Sequence, residues 1–389
     1  MAVTYFENKE GEVCDKEVEN LAVANNHLGI HLYKLLAKED RNIFFSPFSI
    51  STALAMLFCG AHNGTAEEMR NVLGYEIANI KDEELKSCFQ KLVHSLESHP
   101  DSYTLVSANA LVSHKEFLVK GDYKSLLLEY FKAHIQEVDF ANENEKAVKQ
   151  INEWVNEKTQ NMIPELLDSL DPATVLVILN AVYFKGFWLH KFNEKHTFLQ
   201  YFYNNGDEDN YEQVDMMHLK ENFLYVEKES YKALELPYKG EDISMLILLP
   251  NSKDGLSNLE NSLNSTFIQD LKQGMRKRKV EVALPKFRLE YSKSLKQQFQ
   301  SLGMNKIFNA GAHLDGINDS KQLLVSEIVH KAVLIVNEEG SEAAAATAVV
   351  MMRCSLSMCP EFIVDHPFLF VIYNSKNNLI YFMGRVNAL

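Results

Sequence analysis

The stretch from Val329 to Phe370 limits what this chain can fold into more than any other. It opens on Val329-His330-Lys331-Ala332-Val333-Leu334-Ile335-Val336, a β-branched run that reads as a buried strand. Glu338, Glu339 and Gly340 follow, then Ser341, Glu342, Ala343, Ala344, Ala345, Ala346, Thr347 and Ala348. Alanine has the best helix propensity, yet this run continues a strand and leads into Val349-Val350, which favours strand. Neither preference wins locally, so the segment suits more than one environment. Side chains this small also fit between two existing strands of a sheet without clashing with either. Arg353 is the only Lys or Arg from Ala332 to Phe370; Cys354 and Ser355 come directly after it.

The rest of the chain alternates helical and strand signals. Leu21, Ala24, Leu28, Leu32, Leu35 and Leu36 recur at steps of three and four, a helical spacing. Ser46-Pro47 breaks the chain before an apolar helix, and Thr65 to Glu68 fits a capping box for the next one. Tyr103 to Val112 reads as a strand, and 147–167 as an amphipathic helix ending near Pro164. Residues 174–192 form a near-continuous apolar strand, the pattern of burial on both faces, and Asn180 interrupts it. A polar side chain there needs buried partners. Val280, Val282 and Leu284 alternate with Glu281 and Ala283, as in a half-buried strand. Arg276-Lys277-Arg278-Lys279 before it reads as an exposed turn, with a polyanion site as the secondary reading.

With 389 residues, no linker and no repeat, the chain is expected to be a flexible arm over residues 1–19 and one domain over 20–389. A hydrophobic fraction of 46 % supplies a large core, and a net charge of −14 argues against general nucleic-acid binding. No apolar run reaches membrane-spanning length. Five cysteines, at 14, 59, 88, 354 and 359, leave at least one unpaired within the chain, and Cys59 reads as a buried thiol. Sequons at Asn63, Asn264 and Asn318 tilt the reading towards a secreted glycoprotein, with a cytoplasmic location as the alternative. Gly-x-Ser-x-Gly, His-Glu-x-x-His and phosphate-loop motifs are absent, and His190 and His196 have poor zinc spacing. The expectation is therefore no enzyme, no cofactor and no metal.

The motifs quoted above, in this order and spacing, resemble the serpin family over roughly residues 20–389, most closely its ovalbumin-like and arthropod branches. The Glu338 to Ala348 run is similar to the hinge of the inhibitory members. The resemblance implies an α+β fold of three β-sheets, eight or nine helices and an exposed reactive-centre loop at about 341–360. It implies that Ser46, Ser49, Asn180 and His330 form a polar "shutter" cluster, and that Trp188 sits at the "breach" where strand insertion begins. It further implies a monomeric suicide-substrate inhibitor whose cleaved loop enters the central sheet, trapping a trypsin-like serine protease. Counting seventeen residues from Glu338 puts the scissile bond at Cys354-Ser355. Arg353-Cys354 is preferred, because a long cation gives a protease more to hold than a thiol. An inhibitor of cysteine proteases and a non-inhibitory carrier or chaperone are the alternatives, and a polyanion such as heparin is a secondary partner.

Overall fold

The computed structural model describes residues 16–39, 41–96, 102–340 and 359–389. Ser341, Glu342, Ala343–Ala346, Thr347, Ala348, Arg353, Cys354, Ser355 and Cys14 lie outside the described residues.

The strands are β1 Ile43–Phe45, β2 Tyr103–His114, β3 His134–Val138, β4 Leu176–Gly186, β5 Thr197–Tyr203, β6 Tyr211–Glu227 and β7 Tyr231–Pro237. They continue with β8 Ile243–Pro250, β9 Arg276–Pro285, β10 Phe287–Ser294, β11 Val325–Val336, β12 Glu361–Ile363, β13 Phe368–Asn374 and β14 Ile380–Val386. Nine α-helices lie among the described residues: α1 Lys16–Leu36, α2 Pro47–Phe58, α3 Asn63–Val72, α4 Asp82–Leu96, α5 Gly121–Phe131, α6 Asn144–Lys158, α7 Leu256–Ser262, α8 Phe267–Gly274 and α9 Lys296–Leu302.

One sheet runs β10-β11-β4-β2-β3, and the other strands run β1-β14-β13-β8-β7-β6-β9-β12 with β5 on β6. The long β6 pairs with β5 at one end and β7 at the other, so two strand sets are joined into one hydrogen-bonded sheet. Counted as sets, the strands make the three sheets of the expected α+β fold.

β4 explains its own continuous apolar sequence. Leu176, Ile178, Val182 and Phe184 face the large core, while Val177, Leu179, Ala181 and Tyr183 face a second cluster under α6. That cluster takes Ala147, Val148, Ile151 and Val155 from α6, a spacing of one, three and four that lines one helix face. α2 is buried along its whole length beneath the other face of the five-stranded sheet.

Four local expectations differ from the fold. α1 begins at Lys16, so residues 16–19, assigned to the arm, are helical; Glu17 and Glu19 in its first turn suit the positive helix end. α6 stops at Lys158 rather than near Pro164. The Asn152 side-chain oxygen accepts from the Leu166 and Leu167 N–H groups at 2.9 and 3.0 Å, which closes 159–167 into turns. Thr65 and Glu68 form no capping box. Thr65 Oγ1 accepts from His313 N–H, and Glu68 accepts from the N–H groups of Asn305 and Lys306. Arg276 to Lys279 are not a turn: they are the exposed start of β9, paired with Asn222 to Tyr225 of β6.

Candidate functional site: the β4–β11 seam and its hinge

β4 and β11 are the centre of the five-stranded sheet, and they are parallel. Their register sets Asn180 opposite His330, and β2 sets Asn109 opposite Asn180. Strand alternation points all three side chains to the face where α2 lies. There His330 Nδ1–H donates to Asn180 Oδ1 at 2.5 Å. Asn180 Nδ2 donates to Asn109 Oδ1 at 2.5 Å, and also to Ser49 Oγ. Ser49 Oγ meets Ser107 Oγ at 2.7 Å. His330 Nε2 accepts from the Ser46 N–H at 3.2 Å, while Ser46 Oγ caps α2 through the Ser49 N–H and donates to Tyr381 O at 2.6 Å. The fold thus brings Ser46, Ser49, Asn180 and His330 together.

The bonds define one tautomer, with the proton on Nδ1 and Nε2 accepting. Burial penalises the charged ring and lowers the His330 pKa to about 3. The cluster therefore holds a neutral imidazole.

At the far end of β11 the chain makes a tight turn. Asn337 N–H donates to Gly340 O at 2.9 Å, Gly340 N–H returns to Asn337 O at 3.2 Å, and the Asn337 side chain accepts from Glu339 N–H. Gly340 has φ +127°. A Cβ there would lie 2.0 Å from Gly186 O and 2.7 Å from Phe187 Cα, so the turn presses directly on the end of β4. Trp188 N–H donates to Glu339 O at 2.8 Å, and Phe192 N–H to Glu338 O at 2.9 Å. The Trp188 indole donates to Asn337 O at 3.0 Å and stacks on Tyr238 with centroids 4.5 Å apart. Trp188 thus holds the hinge through both its backbone and its ring.

The Glu338 carboxylate is buried between Thr197 Oγ1, which donates at 2.8 Å, and Lys286 Nζ at 3.1 Å. Burial pushes this carboxyl up, but its own backbone N–H, Thr197 and Lys286 outweigh burial and hold it below the usual carboxylate range.

Ser107, Asn109, Thr197 and Lys286 are members that reading the sequence missed. Ser107 and Asn109 alternate with Ala108 and Ala110, so two polar residues on one face of an apolar strand were the available signal. Thr197 and Lys286 carry no comparable signal. Of the sequons, Asn63 and Asn264 are exposed, while Asn318 Nδ2 donates to Leu118 O at 2.7 Å. Cys59 is partly buried at the end of α2, and burial pushes its thiol up to about 12. It therefore stays protonated, which is wrong for a nucleophile.

A five-stranded sheet with a parallel central seam, a polar latch across it and a turn wedged at one end defines the structural class. A family model described as "Serpin (serine protease inhibitor)" matches residues 23–389. The chain is 40 % identical over 382 residues to Intracellular coagulation inhibitor 2 of Tachypleus tridentatus, covering 97 % of this chain and 93 % of that one. It is 41 % identical over 379 residues to Iripin-2 of Ixodes ricinus, covering 96 % and 95 %. Among solved structures, Serpin48 of the insect Tenebrio molitor superposes with a TM-score of 0.83 at 35 % identity, covering 97 % of this chain and all of that one (100 %). Uncleaved ovalbumin superposes with a TM-score of 0.86 at 27 % identity, covering 95 % and 100 %. The chain belongs to the serpin family.

The seam and the hinge can each be tested by one substitution. In the unfolded chain His330 protonates near pH 6.5, but in the fold only near 3. Its stabilising share is complete above the unfolded value and drains away as pH falls towards the folded one. Denaturant melts of wild type and His330→Gln should diverge below pH 6.5, the wild type losing up to about tenfold in its folding equilibrium per pH unit relative to the variant. Parallel curves would contradict the buried neutral imidazole. Gly340→Ala should lower the urea midpoint by an amount equivalent to about 1–3 kcal/mol. An unchanged midpoint would show that the turn does not bear on β4.

Proposed function

We propose that this protein inhibits trypsin-like serine proteases as a suicide substrate, by taking its own cleaved loop into the β4–β11 seam. One observation supports the reading above others: β4 and β11 are parallel, and a tight turn leaves the end of β11 directly beside the end of β4. A strand continuing from that turn and entering the seam runs antiparallel to both neighbours. One parallel ladder, whose slanted bonds are slightly the weaker kind, is exchanged for two antiparallel ones. The entering residues, from Ser341 onwards, are small enough to pass.

The steps follow from this exchange. Arg353 occupies the acidic specificity pocket of the protease, whose serine attacks the Arg353 carbonyl; the Arg353-Cys354 bond breaks, Cys354 leaves as a new amino terminus, and Arg353 is held as an acyl-enzyme ester. Cleavage frees the segment that begins at Ser341. Its insertion separates Asn180 from His330 and forms new main-chain hydrogen bonds on both sides. About twelve to fifteen residues at roughly 3.3 Å each carry the bound protease some 40–50 Å. An active site displaced by about 1 Å already loses roughly a hundredfold in rate, so gross distortion traps the ester before water resolves it. Cys354-Ser355 remains the alternative bond. The exposed sequons Asn63 and Asn264 support an extracellular setting; the name of the Tachypleus relative supports the cytoplasmic one.

Incubation with trypsin should give an SDS-resistant complex. Ser341→Arg should turn the inhibitor into a substrate, because a cation has no partner inside the sheet. Arg353→Ala should abolish trypsin inhibition. A Ser341→Arg variant that traps protease as well as wild type would overturn insertion. Trypsin inhibition that survives Arg353→Ala would move the bond to Cys354.

A further inference from the structure

α1 buries Leu21, Ala24, Leu28, Leu32 and Leu36 and carries two histidines on its flank, His27 and His31, four residues apart. That spacing stacks side chains one turn above each other. The two imidazoles lie with centroids 4.1 Å apart and planes at 42°. His27 is half-buried against Gly74, where a Cβ would come within 3.3 Å of its Cδ2; Gly74 has φ +75°. His31 is exposed, and its Nδ1 lies 2.7 Å from His27 O.

That last bond decides the chemistry. A carbonyl oxygen only accepts, so Nδ1 carries the proton and His31 Nε2 is left as a bare lone pair. Metal-ligating histidines are commonly oriented this way, one ring nitrogen tied to a carbonyl and the other free. Burial, and then the neighbouring His31, lower the His27 pKa, which favours the uncharged ring that a metal ion needs.

We propose that His27 and His31 form a two-ligand site for a divalent first-row transition metal of the zinc, nickel and copper class. At about 2.0–2.1 Å from each nitrogen, a shared ion sets the ring centroids roughly 4.5–5 Å apart, a modest opening of the existing pair. Imidazole favours these ions, whereas magnesium and calcium require oxygen ligands. Among the described residues no group of three His, Cys, Asp and Glu side chains stands ready to hold a metal. Water therefore fills the remaining positions, and the site is open and reversible. Its place has a structural consequence. Asn25 and Asn26, directly before His27 on α1, donate to Ile380 O and Asn378 O at 2.9 and 2.8 Å. An ion clasping this part of α1 stabilises the helix that holds the β13–β14 connection.

The test is calorimetric titration of the whole protein with zinc chloride at about pH 7.5, with magnesium chloride as control and thermal unfolding in parallel. Wild type should bind zinc saturably and melt higher in its presence, with no response to magnesium. His31→Ala, at an exposed position, should lower the affinity at least about tenfold and remove the melting shift, and His27→Gln should do the same. No zinc binding by wild type, or equal binding by wild type and His31→Ala, would overturn the site. Neither readout involves a protease, so the result is independent of the inhibitory reading.

Discussion

The hydrogen-bonded contact between β4 and β11 is the constraint on which the rest depends. β4 is nearly all apolar and buried on both faces, and its pairing with β11 forms the middle of the five-stranded sheet. Yet it is a parallel pairing between strands that are far apart in sequence, with a polar row set into it. Asn109, Asn180 and His330 cross three strands, and Ser46 and Ser49 reach up from α2 to complete the row. Each buried polar group is satisfied only while the strands keep this register. The row spans the seam: separating β4 from β11 breaks the bond between the neutral His330 imidazole and the Asn180 amide.

The hinge works on the same seam from its end. Gly340 rests on the backbone of residues 186–188 with no room for a side chain. Trp188 grips the turn, and Glu338 is fastened to Thr197 of β5 and to Lys286, the residue that joins β9 to β10. β11 is thus anchored where it ends, and the chain leaves Gly340 at a defined point next to β4. An anchored exit beside the end of β4 is what the proposed insertion requires.

Much of this was legible in the sequence wherever the signal was local. The apolar run at 174–192 encodes a strand covered on both sides, although the strand itself spans only Leu176–Gly186, and the interruption at Asn180 marks a buried polar site. The Glu338 to Ala348 composition conflicts with both helix and strand preference; of this run the structure describes only Glu338, Glu339 and Gly340, which form the turn at the end of β11. The hidden part depends on register. Ser107 and Asn109 look like ordinary alternation until β2 is laid beside β4. Lys286 finds Glu338 only through the β10–β11 pairing, which sets Phe287 opposite Val336. Pro164 looks like a helix stop, but α6 ends earlier, where Gln160 and Asn161 turn left-handed and the Asn161 N–H closes on Asn156 O. The four basic residues at 276–279 look like a turn, but pairing with β6 draws them into a strand.

On the proposed mechanism the chain becomes more stable once it is cut and enters between β4 and β11. The direct measurement is the unfolding temperature before and after a single proteolytic cut within residues 341–358, with both fragments retained. The cut protein should melt higher, by on the order of 10 °C or more, because two antiparallel ladders replace one parallel ladder. A cut protein that melts at or below the temperature of the intact one would contradict the insertion mechanism.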